Sequence, residues 1–466
     1  MLGTTSSTII DEGRIHEVLE RRADPDPTHV REVYAKALEL KGLDENDVAL
    51  LASVTVPELL EELFHTARQV KEEIYGRRLV LFAPLYVSNL CGNECSYCAF
   101  RVSNKALKRR ALRQEEVARE TRILIEQGHK RVLLVAGEAY PQEGFSYILK
   151  CIETVYSVKD DKGEIRRVNV NVAPLTVEEF KELKAAKIGT YQLFQETYHR
   201  PTYERVHLAG RKRDYDWRVT AVDRAMEGGI DDVGVGVLFG LYDWRFEMLA
   251  LMQHIAHLEA QFGVGCHTIS VPRIEPAFGA PVSERPPYPV SDVDFKKVIA
   301  ILRLAVPYTG IIMSTRETPE MRRETFALGV SQISAGSRTN PGGYNEDGEQ
   351  FDGSQFSLGD HRSLDEVIYD IAGLGYIPSF CTGCYRLGRT GEDFMDLAKP
   401  GLIKNFCEVN ALSTFVEYLT NYATTQTKEA GERCIAQILD KMPAARRKRA
   451  EALMDRVRAG EKDVYV

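Results

Sequence analysis

Six of the nine cysteines in this chain fall into two short clusters. In NLCGNECSYCAF, Cys91, Cys95 and Cys98 form a C-x3-C-x2-C arrangement; in FCTGCYRLG, Cys381 and Cys384 are followed after 22 residues by Cys407 in NFCEVN. Three thiolates on one short loop can hold three corners of a four-iron cubane, because the spacing gathers the sulfurs without a long loop to order. The fourth iron is then open to an external ligand. The second trio leaves one iron open in the same way, which suits a substrate, an intermediate or an additional metal. Zinc completed by a distant residue is the alternative at either place, with His361 as a remote fourth ligand at the second, but neither trio has a fourth ligand close by. Nine cysteines, an odd number with six of them clustered, do not read as a disulfide framework. Cys266 stands apart from both clusters, as do Cys151 and Cys434, which lie in helical patterns and read as small buried hydrophobes.

The segments that must carry these thiols read as an α/β chain. From Leu79 onward, short apolar or β-branched runs alternate with amphipathic stretches of helical length, the pattern of βα units around a parallel sheet. The strand candidates are LVLFAPLYV from Leu79, RVLLVA from Arg131, VNVNVA from Val168, TYQLFQ from Thr190, DVGVGVLF from Asp232, HTISV from His267, GIIMST from Gly310 and SQISAG from Ser331. Eight strand–helix pairs predict a complete (βα)8 TIM barrel. Among its helices, SDVDFKKVIAILRLAV keeps Phe295, Val298, Ile299 and Leu302 on one face behind a Ser291 cap, and SLDEVIYDIAGLG opens with Ser363 and Glu366 at capping-box spacing. The expected organisation is an N-terminal helical extension over 1–75, a barrel over 76–375 and a C-terminal helical iron–sulfur domain over 376–466. The basic run KMPAARRKRAEALMDRVRAGEK predicts the wet face of a helix. The first trio directly follows the first strand, which puts it at the catalytic face of such a barrel.

At 466 residues and 44% hydrophobic content the chain has a real core to bury. A net charge of -8 argues against nucleic acid as a bulk partner. The start MLGTTSSTIIDEGRIHEVLE lacks a basic stretch followed by an apolar run, and no segment approaches about 18 uninterrupted apolar residues. The expectation is a cytoplasmic protein with no membrane partner.

The C-x3-C-x-aromatic-C loop, with Tyr97 before its last cysteine, resembles the signature of the radical S-adenosylmethionine (SAM) superfamily. The resemblance continues at Gly137 and Glu138 in AGE, where Ala136 replaces the first glycine of the superfamily's motif. It extends to Glu196 in QETY, to Arg218 in DYDWRVTAV and to the adenine-side segment VGVGVLFGL. It implies that Tyr97, Gly137, Glu138, Glu196 and Arg218 contact SAM. The ending C-x2-C-x22-C, with QETYHRPTYERVHLAG, HTISVPRIEPA, STRETPEMRRE and SAGSRTNPGGY, is similar to the tyrosine lyases that mature iron-only hydrogenase. The related tyrosine lyases of thiazole synthesis share the barrel motifs but lack the second trio. The resemblance implies two 4Fe-4S clusters, the second carrying a fifth iron held by His267. It further implies cleavage of L-tyrosine to p-cresol and dehydroglycine, conversion of the latter to carbon monoxide and cyanide, and assembly with cysteine of an Fe(CO)2(CN) precursor. The partners it implies are a ferredoxin or flavodoxin and the hydrogenase maturation proteins. A free amino acid needs a cation for its carboxylate. Arg316 in STRE stands at the expected end of the seventh strand as a bidentate clamp, with Ser314 and Ser334 to orient the substrate; STRE as an internal salt-bridge network is the alternative. Two readings compete with the whole: 2-iminoacetate synthesis for thiazole, which does not use Cys381, Cys384 and Cys407, and a non-catalytic iron–sulfur carrier, which does not use Glu138, Glu196 and Arg218.

Overall fold

A computed structural model describes residues 8–22, 25–345, 353–398 and 403–466. Its centre is a closed barrel of eight parallel strands: β1 (Arg78–Ser88), β2 (Arg131–Ala136), β3 (Arg167–Asn171), β4 (Tyr191–Glu196), β5 (Val233–Val237), β6 (Thr268–Ser270), β7 (Gly310–Met313) and β8 (Val330–Ser334). Each pairs with its successor, and β8 returns to β1 through Val80–Gln332, Leu81–Ile333 and Phe82–Ser334. All eight expected strands are present.

The period of two sorts their side chains. In β1, Leu79, Leu81, Ala83, Leu85 and Val87 join the core between barrel and helices, while Phe82, Pro84 and Tyr86 face a cavity inside the barrel. In β5 the valines face the helices and the inward positions are glycines. A Cβ on Gly236 would stand 2.5 Å from the Phe194 ring, and one on Gly234 2.4 Å from Thr268 Oγ1. The small residues therefore leave the bore to their neighbours' side chains.

Four helices precede the barrel: α1 (Glu12–Arg21), α2 (Pro27–Ala37), α3 (Glu45–Ser53) and α4 (Pro57–Tyr75). Asp11, Asp26 and Asp44 cap the first three, Asp44 in a capping box with Asp47. α3, whose VALLAS shows no amphipathic period, is buried along most of its length. Helix α5 (Trp244–Phe262) follows strand β5, and α6 (Asp292–Ala305) starts at its Ser291 cap. The one-faced reading of α6 is corrected by the structure: Phe295 and every residue from 297 to 305 are buried. The reason is tertiary. α3 and α4 pack on the outer side of α6, and the Lys297 ammonium donates to the carbonyls of Ala52 (2.9 Å) and Val54 (2.7 Å).

After the barrel, Ser363 and Glu366 form the expected capping box of α7 (Leu364–Gly373). A ninth strand, β9 (Ile377–Ser379), then pairs in parallel with Arg78–Val80 of β1. Val80 pairs with both Gln332 and Ser379, so β9 occupies the same edge of β1 as β2, at its lower end. Helices α8 (Lys404–Asn421), α9 (Thr425–Lys441) and α10 (Ala444–Arg458) complete the chain. α10 buries Ala450, Leu453, Met454 and Val457 and leaves Arg447, Lys448 and Arg449 in solvent. Cys151 and Cys434 are buried within helices.

Candidate functional site

The C-terminal ends of the strands surround one cavity lined by Cys91, Cys95, Cys98, Tyr97, Gly137, Glu138, Glu196, Arg218, Ser314, Arg316 and Ser334. Every residue expected at the first cluster, at SAM or at the substrate therefore faces a common space.

Local structure explains how they arrive there. The register of β1 against β2 shifts between Tyr86 and Ser88, and the chain turns into the cysteine loop. Gly137 lies directly under that loop: its amide donates to the Ser88 carbonyl (2.9 Å) and a Cβ would meet Leu90 O at 2.2 Å. A glycine is obligatory at 137, whereas Ala136 costs nothing at the position before it. Cys95 belongs to a small antiparallel ribbon, Glu94–Cys95 against His207–Ala209. At the end of β4 a bulge rotates Glu196 into the left-handed region, φ 75°. Such backbone persists where partners fix it; here the Leu238 amide donates to Glu196 O (2.9 Å) and the Lys212 ammonium to Oε1 (2.6 Å).

The charges form one network. Arg218 Nη1 donates to Glu138 Oε1 (2.8 Å), and Asn93 Nδ2 donates to Glu138 Oε2 (2.8 Å). Arg218 Nε is held by Phe194 O (2.7 Å), and Nη2 stands 4.0 Å from Glu196. Burial opposes ionisation of Glu138, but Arg218 and Lys212 outweigh it and hold its carboxyl below the usual range. The carboxylate is thus charged and can accept from an amino group. Tyr97 turns its ring to the cavity and ties its hydroxyl to His207 Nε2 (2.8 Å). Burial pushes the three thiols up, Cys98 to about 11; metal binding must displace those protons.

Arg316 stands opposite. Among the described residues it makes no ion pair and no side-chain hydrogen bond; its guanidinium lies 3.3 Å from the centre of the Phe356 ring. Burial lowers its pKa. The internal-network alternative for STRE applies to its neighbour instead: Glu317 takes Arg273, with Nε to Oε1 at 2.9 Å. Ser314 Oγ accepts from the Arg316 amide (3.3 Å) and Ser334 Oγ from the Thr315 amide (3.1 Å). Lys212, Asn93 and His207 escaped the sequence reading, because polar residues in GNE and LAGRKR look like solvated loop. Tyr86 and Gln355 escaped it as well. Tyr86 donates to Gln355 Oε1 (2.7 Å), whose amide nitrogen lies 3.8 Å from Cys98 Sγ.

The second trio sits at the opposite, N-terminal mouth. Cys381 follows β9, and its carbonyl accepts from Arg131 at the start of β2 (2.9 Å). Tyr385 approaches Thr190 just below β4 (3.3 Å between hydroxyls), and the Arg167 guanidinium at the start of β3 lies 3.8 Å from its ring centre. Cys384 and Cys407 hydrogen-bond one another; that bond raises Cys384 and lowers Cys407, which also feels Arg78 and Arg389. Phe394, Ile403 and Cys407 form a buried cluster against which Cys384 and Tyr308 pack. His267, immediately below β6, places its ring 4.7 Å from that of Phe394. The structure therefore brings His267 to the wall of the second site. All nine cysteines are free thiols. Among the described residues no group of three or more His, Cys, Asp or Glu is set to hold a single metal ion.

A model of the radical SAM superfamily matches residues 85–254, and one of the biotin and thiamin synthesis associated domain matches 270–377. The chain is 32% identical to 2-iminoacetate synthase of Escherichia coli over 358 residues, 77% of this chain and 92% of that one. A crystal structure of HydG, a maturase of the [FeFe]-hydrogenase, superposes with TM-score 0.95 at 50% identity, covering 98% of this chain and all of that one. HydG from Carboxydothermus hydrogenoformans superposes with TM-score 0.83 at 42% identity, covering 95% of this chain and 97% of that one.

Proposed function

Because this chain belongs to the radical SAM tyrosine lyases, the family of HydG and 2-iminoacetate synthase, we propose that it cleaves the Cα–Cβ bond of L-tyrosine to p-cresol and dehydroglycine at the upper mouth and converts dehydroglycine to carbon monoxide and cyanide at the lower. The observation that carries this reading is the single cavity shared by Cys91, Cys95, Cys98, the Glu138–Arg218 pair and the unpaired Arg316. The cluster, when bound and reduced, supplies the electron that splits SAM into methionine and a 5'-deoxyadenosyl radical.

The chain's own residues bind, orient and enclose. Cys91, Cys95 and Cys98 hold the cluster and leave one corner open. Glu138 accepts from the SAM ammonium, and Arg218 fixes that carboxylate while keeping it charged. Glu196, turned inward by its bulge, takes the ribose hydroxyls, and the Tyr97 ring and the Gly137 backbone shape the wall. Arg316 clamps the tyrosine carboxylate, and Ser314 and Ser334 hold the turn that aims it. Holding the amine beside the 5'-carbon is the positioning on which the rate depends.

At the lower mouth Cys381, Cys384 and Cys407 hold a second 4Fe-4S cluster and His267 a fifth iron; imidazole suits ferrous iron. A metal centre held by these residues would supply the place where carbon monoxide and cyanide are collected with cysteine as an Fe(CO)2(CN) unit for hydrogenase. The second trio is what favours this over 2-iminoacetate synthesis alone. The domain division 1–75, 76–375 and 376–466 is proposed on the same footing, with β9 as the seam.

Anaerobic incubation of the reconstituted protein with SAM, tyrosine and a strong reductant tests the reading. Wild type is expected to yield 5'-deoxyadenosine, p-cresol, cyanide and carbon monoxide, and Cys381→Ala/Cys384→Ala to keep p-cresol and lose carbon monoxide. SAM cleavage without p-cresol would overturn tyrosine as substrate.

A further inference from the structure

We propose that the surface over the Glu94–Cys95/His207–Ala209 ribbon is the docking face for an acidic one-electron carrier protein that reduces the cluster held by Cys91, Cys95 and Cys98. The inference rests on the function proposed above, which requires one electron for each SAM cleaved. In the transfer the carrier is oxidised by one electron and the cluster reduced by one; no bond is made or broken.

Three observations converge on this face. The first is apolar exposure. Val102 (39% exposed), Leu208 (50%) and Phe278 (67%) are three of the ten large hydrophobics exposed among the described residues. They are not scattered. The Val102 amide bonds Asn93 O (2.9 Å), Leu208 lies in the ribbon strand paired with Glu94 and Cys95, and Asn104 Nδ2 bonds Phe278 O (2.9 Å). All three are hydrogen-bonded to, or part of, the loop and ribbon that carry the thiols. An exposed apolar centre with a polar rim is the anatomy of a transient interface.

The second observation is charge. The chain as a whole carries -8, yet Phe100–Arg113 contains six Lys and Arg and Arg205–Arg213 contains four, with no Asp or Glu in either segment. Some of these serve inside: Lys212 pairs with Glu196, Arg110 with Glu116, and Arg109 binds backbone carbonyls. Lys105, Arg205, Arg211 and Arg213 remain exposed at the rim. Of the acids around this face Glu94 and Asp214 are committed, while Glu204 and Glu284 stay exposed at its edge. Glu94 takes Arg101 and Ser103 (Ser103 Oγ to Oε1, 2.7 Å), Asp214 caps the next helix through Trp217 N (2.9 Å), and Glu204 flanks the ribbon. A local positive field on an acidic protein selects an acidic partner and raises its encounter rate.

The third is position. Cys95 is itself a ribbon residue, and its thiol faces the cavity while the strand opposite carries Leu208 outward. Only the ribbon separates a docked carrier from the cluster ligands.

The test uses full-length protein with flavodoxin as the carrier and dithionite as a small reductant that needs no docking face. Lys105→Glu/Arg211→Glu/Arg213→Glu is expected to lower flavodoxin-driven 5'-deoxyadenosine formation at least tenfold and leave dithionite-driven formation within twofold. Oxidised flavodoxin should bind the variant at least tenfold more weakly by calorimetric titration, and binding to wild type should weaken steeply with salt. Phe278→Ser should weaken binding severalfold without a change in salt dependence, and the charge-preserving Lys105→Arg/Arg211→Lys/Arg213→Lys should behave as wild type. Equal carrier-driven rates and equal binding in the triple reversal would overturn the docking face. A wild type that binds flavodoxin as described but cleaves no SAM with dithionite would instead overturn the function it rests on.

Discussion

The two mouths of the barrel hold the same kind of ligand set in opposite surroundings. At the upper mouth the three thiols share their cavity with charged side chains at the ends of β2, β4 and β7, and one guanidinium, Arg316, makes no ion pair among the described residues. At the lower mouth the thiols are packed among Phe394, Ile403 and Tyr308, and the cations Arg78, Arg131 and Arg389 approach from outside. One trio shares its space with charged side chains; the other is packed among apolar walls, with His267 against Phe394. Cysteine spacing alone does not separate these roles. What surrounds the sulfurs does.

The widest separation between the mouths is expected from the cysteines. Cys95→Ala should abolish 5'-deoxyadenosine and p-cresol together, at least a thousandfold, while Cys407→Ala should leave p-cresol within about threefold and lose carbon monoxide. Equal loss of p-cresol in both would erase the proposed division of labour. Next comes Arg316→Met, which removes a charge-assisted clamp worth about 1.5–3 kcal/mol, roughly 10- to 150-fold. It should appear in kcat/KM for tyrosine, with SAM cleavage in the absence of tyrosine and the iron content of the lower site unchanged.

A third test concerns the attachment of the lower site. Glu417 on α8 accepts from Arg166 beside β3 at 2.5 Å, and both side chains are 3% exposed. Glu417→Gln strips a buried pair of one charge, and about 3–5 kcal/mol of stability should be lost, read by denaturant unfolding and by release of iron from the lower site first. The same pair predicts a pH response. Burial opposes the Glu417 charge, but Arg166 and Lys130 outweigh it, so its folded pKa lies below the 4.5 of an ordinary glutamate. The unfolded chain binds that proton more readily, so this stabilisation is complete above 4.5 and disappears as pH falls through the folded value. Acid should therefore loosen wild type toward the Glu417→Gln level, and an acid profile identical in the variant would break the argument. The smallest effect belongs to Ser363→Ala, which removes the α7 cap at about 1 kcal/mol, read as a few degrees in Tm with no change at either mouth.

The sequence exposed much of this unevenly, and the reasons are physical. All eight barrel strands were legible because their outward faces are continuous apolar rows, as in Leu79–Val87. Both thiol trios stood out because clustered cysteines in an odd total do not read as a disulfide framework. β9 was not: a three-residue IPS has no period to read. The second buried face of α6 was hidden because it depends on α3 and α4, more than 200 residues away in sequence. Lys212 and Asn93 were missed because what gives them meaning is the distance to Glu196 and Glu138. The clamp reading of Arg316 needed the structure to assign Glu317 to Arg273.

Strand β1 has one further consequence. Its first residues pair with β9, which leads directly to Cys381, and its last residue stands three positions before Cys91. A single eleven-residue strand, roughly 33 Å over its ten steps at 3.3 Å per residue, is thus a fixed ruler between the two thiol trios. It is paired with β9 and then β2 along one edge and with β8 over Val80–Phe82 on the other. The spacing of the two thiol trios is therefore set by one strand, and a residue inserted in or deleted from it would move both together.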